Sequence, residues 1–158
     1  MDSETVQHLL QRIPWFHELP SHQLEELVLI SKMQELEDGE VLFREGDSEN
    51  SLYILIEGQI LMDSQVPGHG RVLVYTADPL DIVGWDVMTP VVRQRTGTAT
   101  ACGKCRLISI DSPLLRQMCE NEPEFGFVIM RRLANTVASR LLSTRLRLYD
   151  LLHQPVAR

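Results

Sequence analysis

The sequence predicts a mainly β domain, an antiparallel sandwich or barrel, with helices before and after it. Three observations indicate this fold class: apolar residues at helical spacing near the N-terminus, glycine-rich turns between short apolar runs in the middle, and a long helical repeat towards the C-terminus. A chain of 158 residues suits a single domain over its whole length, 1–158. We divide it into N-terminal helices at 3–32, a barrel at 33–110 and C-terminal helices at 112–153.

Two short helices are predicted before the barrel. Apolar residues recur at helical spacing over residues 3–13, and Pro14 ends the run. Ser21 is a good N-cap and opens a second helix. The apolar stripe of this second helix consists of Leu24, Leu27, Val28 and Ile30. We expect Trp15 and Phe16, which lie between the two runs, to hold the helices together.

The barrel is predicted from turns that separate β-branched and aromatic runs. These turns contain Gly39, Gly46, Gly58, Gly68 and Gly70. The predicted strands are 41–43, 52–56, 59–64, 71–77, 80–83, 97–101 and 105–110. Residues 85–95 contain Pro90 and show no alternation, which indicates an insertion in the barrel.

The sequence returns to helix after Ile110. Asp111-Ser112-Pro113 supplies a cap and a first-turn proline, and Pro123 begins a long second helix. Alternating steps of four and three then mark a coiled-coil seam, which predicts a homodimer. The seam residues are Met130, Ala134, Val137, Leu141, Thr144, Leu148 and Leu151. Alternatively the helix packs only on its own barrel, for which a second apolar face offers Phe125, Val128, Leu133 and Leu142.

Charge and hydropathy exclude several classes of function. The formal net charge of −7 repels nucleic-acid phosphates. Five arginines in the last helix are interpreted as a solvated face: Arg131, Arg132, Arg140, Arg145 and Arg147. Only 154–158 follow His153, so we expect no helix-turn-helix and no direct DNA binding by this chain. With neither a secretory signal nor an apolar run of about 20 residues, we expect a cytoplasmic protein without membrane contact.

One stretch of the predicted barrel carries a family resemblance. Gly39 to Asp47, then Ser51-Leu52-Tyr53-Ile54-Leu55 and Glu57-Gly58, resembles the first half of the cyclic-nucleotide-binding domain family. That family includes the catabolite activator protein and the regulatory subunits of protein kinase A, and the resemblance spans essentially the whole chain. It implies a jelly-roll barrel (a double-stranded β-helix) and a regulatory role without catalysis. It also implies a small anionic ligand in the barrel, with cyclic AMP and cyclic GMP as candidates.

The resemblance also places the ligand. In the family, the segment that corresponds to Gly84 through Ala101 is a phosphate-binding cassette, where a short helix offers its N-terminal amides and an arginine pairs with the phosphate. Both groups attract anions on physical grounds. Arg95 occupies the arginine position here, within a cassette at 84–95. The residues expected to bind the ligand are Gly84, Trp85, Asp86, Val87, Arg95 and Thr96.

The cassette departs from the family at one position. Where the family has a glutamate that accepts a hydrogen bond from the ribose 2′-hydroxyl, this chain has Trp85, which can only donate. Asp86 substitutes for it only if the backbone shifts by one residue. Arg95 has an alternative role, since it can pair with Asp81 or Asp86 and bind nothing. The two resulting hypotheses are a ligand sensor, which needs a free Arg95 guanidinium, and a ligand-free dimerisation or protein-interaction module whose pocket Trp85 fills.

Two hydroxyl residues of the long helix and the three cysteines are further candidates for a role. In some family members a hydroxyl on the long helix reaches the nucleotide base across the dimer, and Ser143 and Thr144 lie in that region. Three cysteines cannot all pair within one chain, which suits reduced thiols. Cys102-Gly103-Lys104-Cys105 is interpreted as a hairpin turn, with a thiol switch as the weaker alternative.

The chemistry of a metalloprotein or an enzyme is not indicated. The histidines lack metal-ligand spacing and are expected at the surface: His8, His17, His22, His69 and His153. No catalytic motif or cofactor-binding fingerprint occurs, so we expect neither an enzyme nor a metal or cofactor.

Overall fold

The computed structural model of the protein describes residues 2–89, 91–92 and 94–154. Pro90 of the predicted insertion and residues 155–158 lie outside the described residues. The helices are α1 (Asp2–Gln11), α2 (Ser21–Leu29), α3 (Ser112–Asn121) and α4 (Pro123–His153), with short 3₁₀ turns at Pro14–Phe16 and Trp85–Met88. The strands are β1 (Ser31–Leu36), β2 (Val41–Phe43), β3 (Ser51–Val66), β4 (Gly70–Ala77), β5 (Ile82–Val83) and β6 (Thr98–Asp111).

Two long strands organise the antiparallel sheet, whose order is β1-β6-β3-β4. The central pair, β3 and β6, changes outer neighbours along its length. The early part of β3 pairs with β5 and its later part with β4. The late part of β6 pairs with β1 and its early part with β2. This arrangement, with helices before and after it, confirms the predicted fold class.

Two predicted turns are instead irregularities within strands. The prediction separated 52–56 from 59–64 at Gly58, and 97–101 from 105–110 at Gly103. The structure makes each pair one continuous strand, and the register between β3 and β6 shifts around Glu57 and Gln59. Gly58 has φ 91° and Gly103 has φ 75°. Positive φ is needed in a bulge as well as in a turn, which explains why both positions are glycine. The interpretation of Cys102 to Cys105 as a hairpin turn was wrong, because β6 runs through this segment.

The cysteines sit in very different surroundings along this strand and the next helix. Cys102 is exposed, whereas Cys105 is 0% exposed and its Sγ lies 3.1 Å from the Gln59 carbonyl oxygen, to which it donates. Burial raises the pKa of the Cys119 thiol to about 11. Of the three thiols, only that of Cys102 is exposed to reagents in solution.

We therefore expect iodoacetamide to label Cys102 well before Cys105 and Cys119 in the native protein. Peptide mass spectrometry over a time course measures the three rates, and the same reaction in urea, where all three should react, is the control. Equal native labelling of Cys102 and Cys105 would contradict the buried placement and revive the thiol switch.

The N-terminal helices close one end of the sheet with an apolar cluster. Phe16 of the first 3₁₀ turn is 3% exposed and packs with Leu10 and Leu27, which are both 0% exposed. Trp15 packs against the same cluster, so both aromatic residues hold α1 and α2 together as predicted. Helix α2 ends one residue earlier than its predicted stripe, at Leu29, because Ile30 already leads into β1.

The C-terminal helices begin where the sequence places them. The Asp111 side chain accepts a hydrogen bond from the Leu114 amide at 3.0 Å and so caps α3. Helix α4 is anchored on the domain through its first half, where Phe125, Ile129 and Leu133 are 0%, 4% and 6% exposed. Leu142, which the prediction added to this face, is 58% exposed instead. Leu142 therefore does not help to pack α4 on its own barrel.

Candidate functional site

The predicted cassette begins with a backbone conformation that only glycine adopts easily. Gly84 has φ 79°, and Trp85–Met88 follows as one short 3₁₀ turn. A Cβ at Gly84 would also collide with the guanidinium of Arg95. Glycine at this position therefore permits both the turn and the close approach of Arg95.

Arg95 is completely enclosed by the protein. Its side chain is 0% exposed, and one terminal nitrogen donates to an Asp86 carboxylate oxygen at 2.9 Å and to the Gly84 carbonyl at 3.0 Å. The other terminal nitrogen donates to the Ser51 carbonyl at 2.6 Å. The guanidinium lies 4.1 Å from the centre of the Phe43 ring. Protein acceptors and an aromatic face thus satisfy most of the hydrogen-bonding capacity of this cation, and among the described residues only its Nε finds no acceptor.

Asp86, the partner of Arg95 in this ion pair, is also buried. The residue is 3% exposed, and its second carboxylate oxygen accepts hydrogen bonds from the Thr96 amide at 2.9 Å and the Thr96 hydroxyl at 3.3 Å. Arg95 is the residue that the family resemblance pairs with the ligand's phosphate, and Thr96 is among the residues expected to bind the ligand. In this chain an internal carboxylate takes their hydrogen bonds.

The other predicted ligand residues do not share one surface. Trp85 and Thr96 line a cavity of about 470 Å³ that is bounded by β3, β4 and α4, which we call the barrel–helix chamber. Val87 and Arg95 instead line a separate cleft of about 390 Å³ together with Asp47 and Glu49. Trp85 lies in the wall of the chamber and leaves it open, so the idea that this ring fills the pocket was wrong.

Helix α4 forms the far wall of the barrel–helix chamber. Thr144 lines the chamber, whereas Ser143 is not among its lining residues. Arg140 also lines it; its side chain is only 12% exposed, lies 3.3 Å from the Asp81 carboxylate and covers the Tyr75 ring with its guanidinium 3.9 Å from the ring centre. Burial raises the pKa of Tyr75 to about 12. The interpretation of Arg140 as part of a solvated face was therefore wrong.

Among the described residues, no helix is long and apolar enough to cross a membrane. No group of histidine, cysteine, aspartate and glutamate in that part of the chain is arranged to hold a metal ion. All five histidines are exposed, as predicted.

Comparison with known proteins decides the family. Residues 33–122 match the model of the cyclic nucleotide-binding domain, which is more than half of the chain. The chain belongs to the cyclic-nucleotide-binding domain family. Domains of this family are regulatory and typically non-catalytic.

Two curated relatives of this cyclic-nucleotide-binding domain are regulators by name. The CRP-like cAMP-activated global transcriptional regulator of Mycobacterium tuberculosis is 30% identical over 119 residues, which are 75% of this chain and 50% of that protein. The cAMP-dependent protein kinase regulatory subunit of Dictyostelium discoideum is 29% identical over 86 residues, 52% of this chain and 26% of that protein. The chain thus spans half or less of the length of these relatives.

Solved structures show the same fold. A cyclic nucleotide-binding protein from Geobacter metallireducens aligns with a TM-score of 0.72 and 26% identity, over 89% of this chain and 98% of that one. A cyclic nucleotide-binding domain from Methylobacillus flagellatus aligns with a TM-score of 0.77 and 17% identity, over 98% of this chain and 86% of that one. The second likeness establishes the fold alone.

Proposed function

We propose that this cyclic-nucleotide-binding domain is a non-catalytic regulatory dimerisation module in which Asp86 supplies the negative charge that a cyclic phosphate would bring to Arg95. One observation carries this proposal: the Arg95 side chain is 0% exposed and bonded to the Asp86 carboxylate at 2.9 Å. The pair makes the cassette complete without a guest.

Displacement of Asp86 is costly for an incoming anion. A phosphate that paired with Arg95 would take the donors that Asp86 uses and leave this carboxylate buried at 3% exposure without partners. Breaking a buried ion pair costs about 3–5 kcal/mol, which corresponds to a loss of at least about a hundredfold in affinity. Cyclic AMP and cyclic GMP are therefore poor ligands for Arg95 in this chain.

The second candidate function is a sensor of a small anionic ligand, with cyclic AMP or cyclic GMP in the barrel. The barrel–helix chamber favours it, because a cavity of about 470 Å³ falls within the usual range for small-molecule sites. Thr144 lines this chamber, at the helix from which the family resemblance expects a contact to the base. For both candidate functions we assign α4 to the interface of a homodimer, so a change at the cassette or in the chamber would reach a partner through this helix.

Calorimetric titration separates the two candidates. We expect the wild-type chain to give no binding heat with cyclic AMP or cyclic GMP up to about 1 mM. The double variant Trp85→Glu/Asp86→Leu restores an acceptor for the ribose and removes the internal anion, so it should gain cyclic AMP binding. Adding Arg95→Ala to that variant should abolish the gain, because no cation then meets the phosphate.

Saturable wild-type binding that Arg95→Ala removes would overturn the first candidate and establish the second. Thermal unfolding of the double variant with and without cyclic AMP provides a matched control, since a ligand that binds only the folded state raises the melting temperature.

The net charge of this module bears on which macromolecules and surfaces it contacts. A net charge of −7 disfavours contact with nucleic acids and with anionic membrane surfaces. This charge supports the absence of direct DNA or membrane binding by the chain; that it acts in the cytoplasm, with a second copy as its partner, is part of the same proposal.

A further inference from the structure

The barrel–helix chamber has an apolar lining of a particular kind. Branched aliphatic side chains come from two sides, Val66, Val72 and Val74 from β3 and β4, and Leu141, Leu148 and Leu151 from α4. These side chains pack favourably against a hydrocarbon group of a ligand, and they offer no hydrogen-bond donors or acceptors to the hydroxyls of a sugar. The lining therefore selects a ligand whose body is largely apolar.

Positive charge enters the chamber from α4 and not from the cassette. Arg140 and Arg147 both line it, and in each of them Nε is buried without a hydrogen-bond partner. Within residues 2–89, 91–92 and 94–154, the one carboxylate that Arg147 approaches is that of Asp150, at 3.9 Å. The carboxylate in the lining belongs to Asp63, which Arg71 already holds through bonds of 2.7 and 3.1 Å. The α4 wall thus carries two cations with unused donor capacity.

We infer that the barrel–helix chamber binds a small amphipathic organic anion. Its apolar body lies against the valines of β3 and β4, and its carboxylate or sulfonate is bound by Arg147, with Arg140 beside it. The Arg147 side chain is 37% exposed, so an anion that enters the chamber can reach its guanidinium and form charge-assisted hydrogen bonds with it. The inference rests on the proposed regulatory role in one respect: α4, whose arginines bind the anion, is also the helix that we assign to the dimer interface.

Octanoate is a suitable probe, because it combines an eight-carbon chain with a single carboxylate. We expect saturable calorimetric binding of octanoate to the full chain below about 1 mM. Arg147→Gln should weaken this binding about tenfold, since it removes a charge-assisted hydrogen bond. Arg145→Gln is the matched control, because Arg145 lies on the same helix, is exposed and does not line the chamber; its affinity should equal that of the wild type.

Two further measurements locate the site. Val74→Phe narrows the chamber from the β4 side and keeps both arginines, so it should abolish octanoate binding; circular dichroism checks that this variant is folded. 1-Octanol, which has the same chain length without the charge, should bind at least about tenfold more weakly than octanoate. Equal affinities of Arg147→Gln and Arg145→Gln, unchanged binding by folded Val74→Phe, or no saturable heat would each overturn the inference.

The failure of this inference is distinguishable from the failure of the proposed function. Binding of cyclic AMP that depends on Arg95 would overturn the proposed function, whatever octanoate does. Absence of octanoate binding would overturn the assignment of the chamber and leave the closed Asp86–Arg95 pair in place.

Discussion

Replacement of Arg95 by methionine is expected to lower the free energy of unfolding by about 3–5 kcal/mol. Methionine resembles the apolar part of the arginine side chain but leaves the Asp86 carboxylate, 3% exposed, without its cation. The variant also strips a hydrogen-bond donor from the Ser51 and Gly84 carbonyls. Urea unfolding followed by circular dichroism measures the difference.

A double-mutant cycle shows whether the pair itself causes this loss. Asp86→Leu/Arg95→Met replaces both charges by apolar side chains, so it should be clearly more stable than the sum of the two single losses predicts. Arg106→Met is the control, because the ion pairs of Arg106 with Glu57 at 3.1 Å and Glu35 at 3.8 Å lie at the surface with both glutamates 60% exposed, so the free energy of unfolding of this variant should change much less. Equal losses in Arg95→Met and Arg106→Met would show that Arg95 is not the buried centre described above.

The same pair shows how far the sequence determines the site. The structure brings Gly84 and Arg95, which the family resemblance placed in one cassette, within hydrogen-bond distance of each other, and pairing of Arg95 with Asp86 was one of the two alternatives considered. The choice between Asp81 and Asp86 depends on distant contacts, because Asp81 is engaged by Arg140 from α4. Arg140 lies far after Asp81 in the sequence, so the sequence alone does not predict which of the two neighbouring aspartates, Asp81 or Asp86, it pairs with.

Local signals predicted the elements that depend on local chemistry. Strand β2, strand β4 and the cap of α3 by Asp111 all follow from neighbouring residues. Strand β1 was missed, because Ser31–Leu36 reads SKMQEL and lacks the β-branched residues that mark a strand. Its pairing with β6, and not its own composition, makes it a strand.

Long-range packing explains the remaining errors. Gly58 and Gly103 have the positive φ of turn residues, and only the partner strand distinguishes a bulge from a hairpin. Arg140 belongs to a charged helix face by its spacing, yet Tyr75 and Asp81 bury it. The barrel–helix chamber unites residues of β3, β4, the cassette and α4, so no single stretch of sequence carries its signature.

The predicted seam of α4 is the feature that most requires a partner. Met130, Leu141 and Leu148 are 42%, 57% and 51% exposed, at positions that follow the four-and-three spacing. Exposed apolar side chains in a continuous stripe mark an interaction surface. We therefore expect the chain to be a dimer in solution, and sedimentation equilibrium measures its dissociation constant.

Leu141→Glu/Leu148→Glu should raise that dissociation constant at least about a hundredfold, because burying each leucine contributes about 1.5–3 kcal/mol and the partner repeats both positions. Leu29→Glu is the matched control, since Leu29 is 84% exposed on α2, away from the seam, and this variant should associate like the wild type. The first half of α4 stays anchored through Phe125 and Leu133, so the double variant should remain folded as a monomer. If the wild type itself sediments as a monomer at all concentrations, the stripe serves another partner and the dimerisation role is lost.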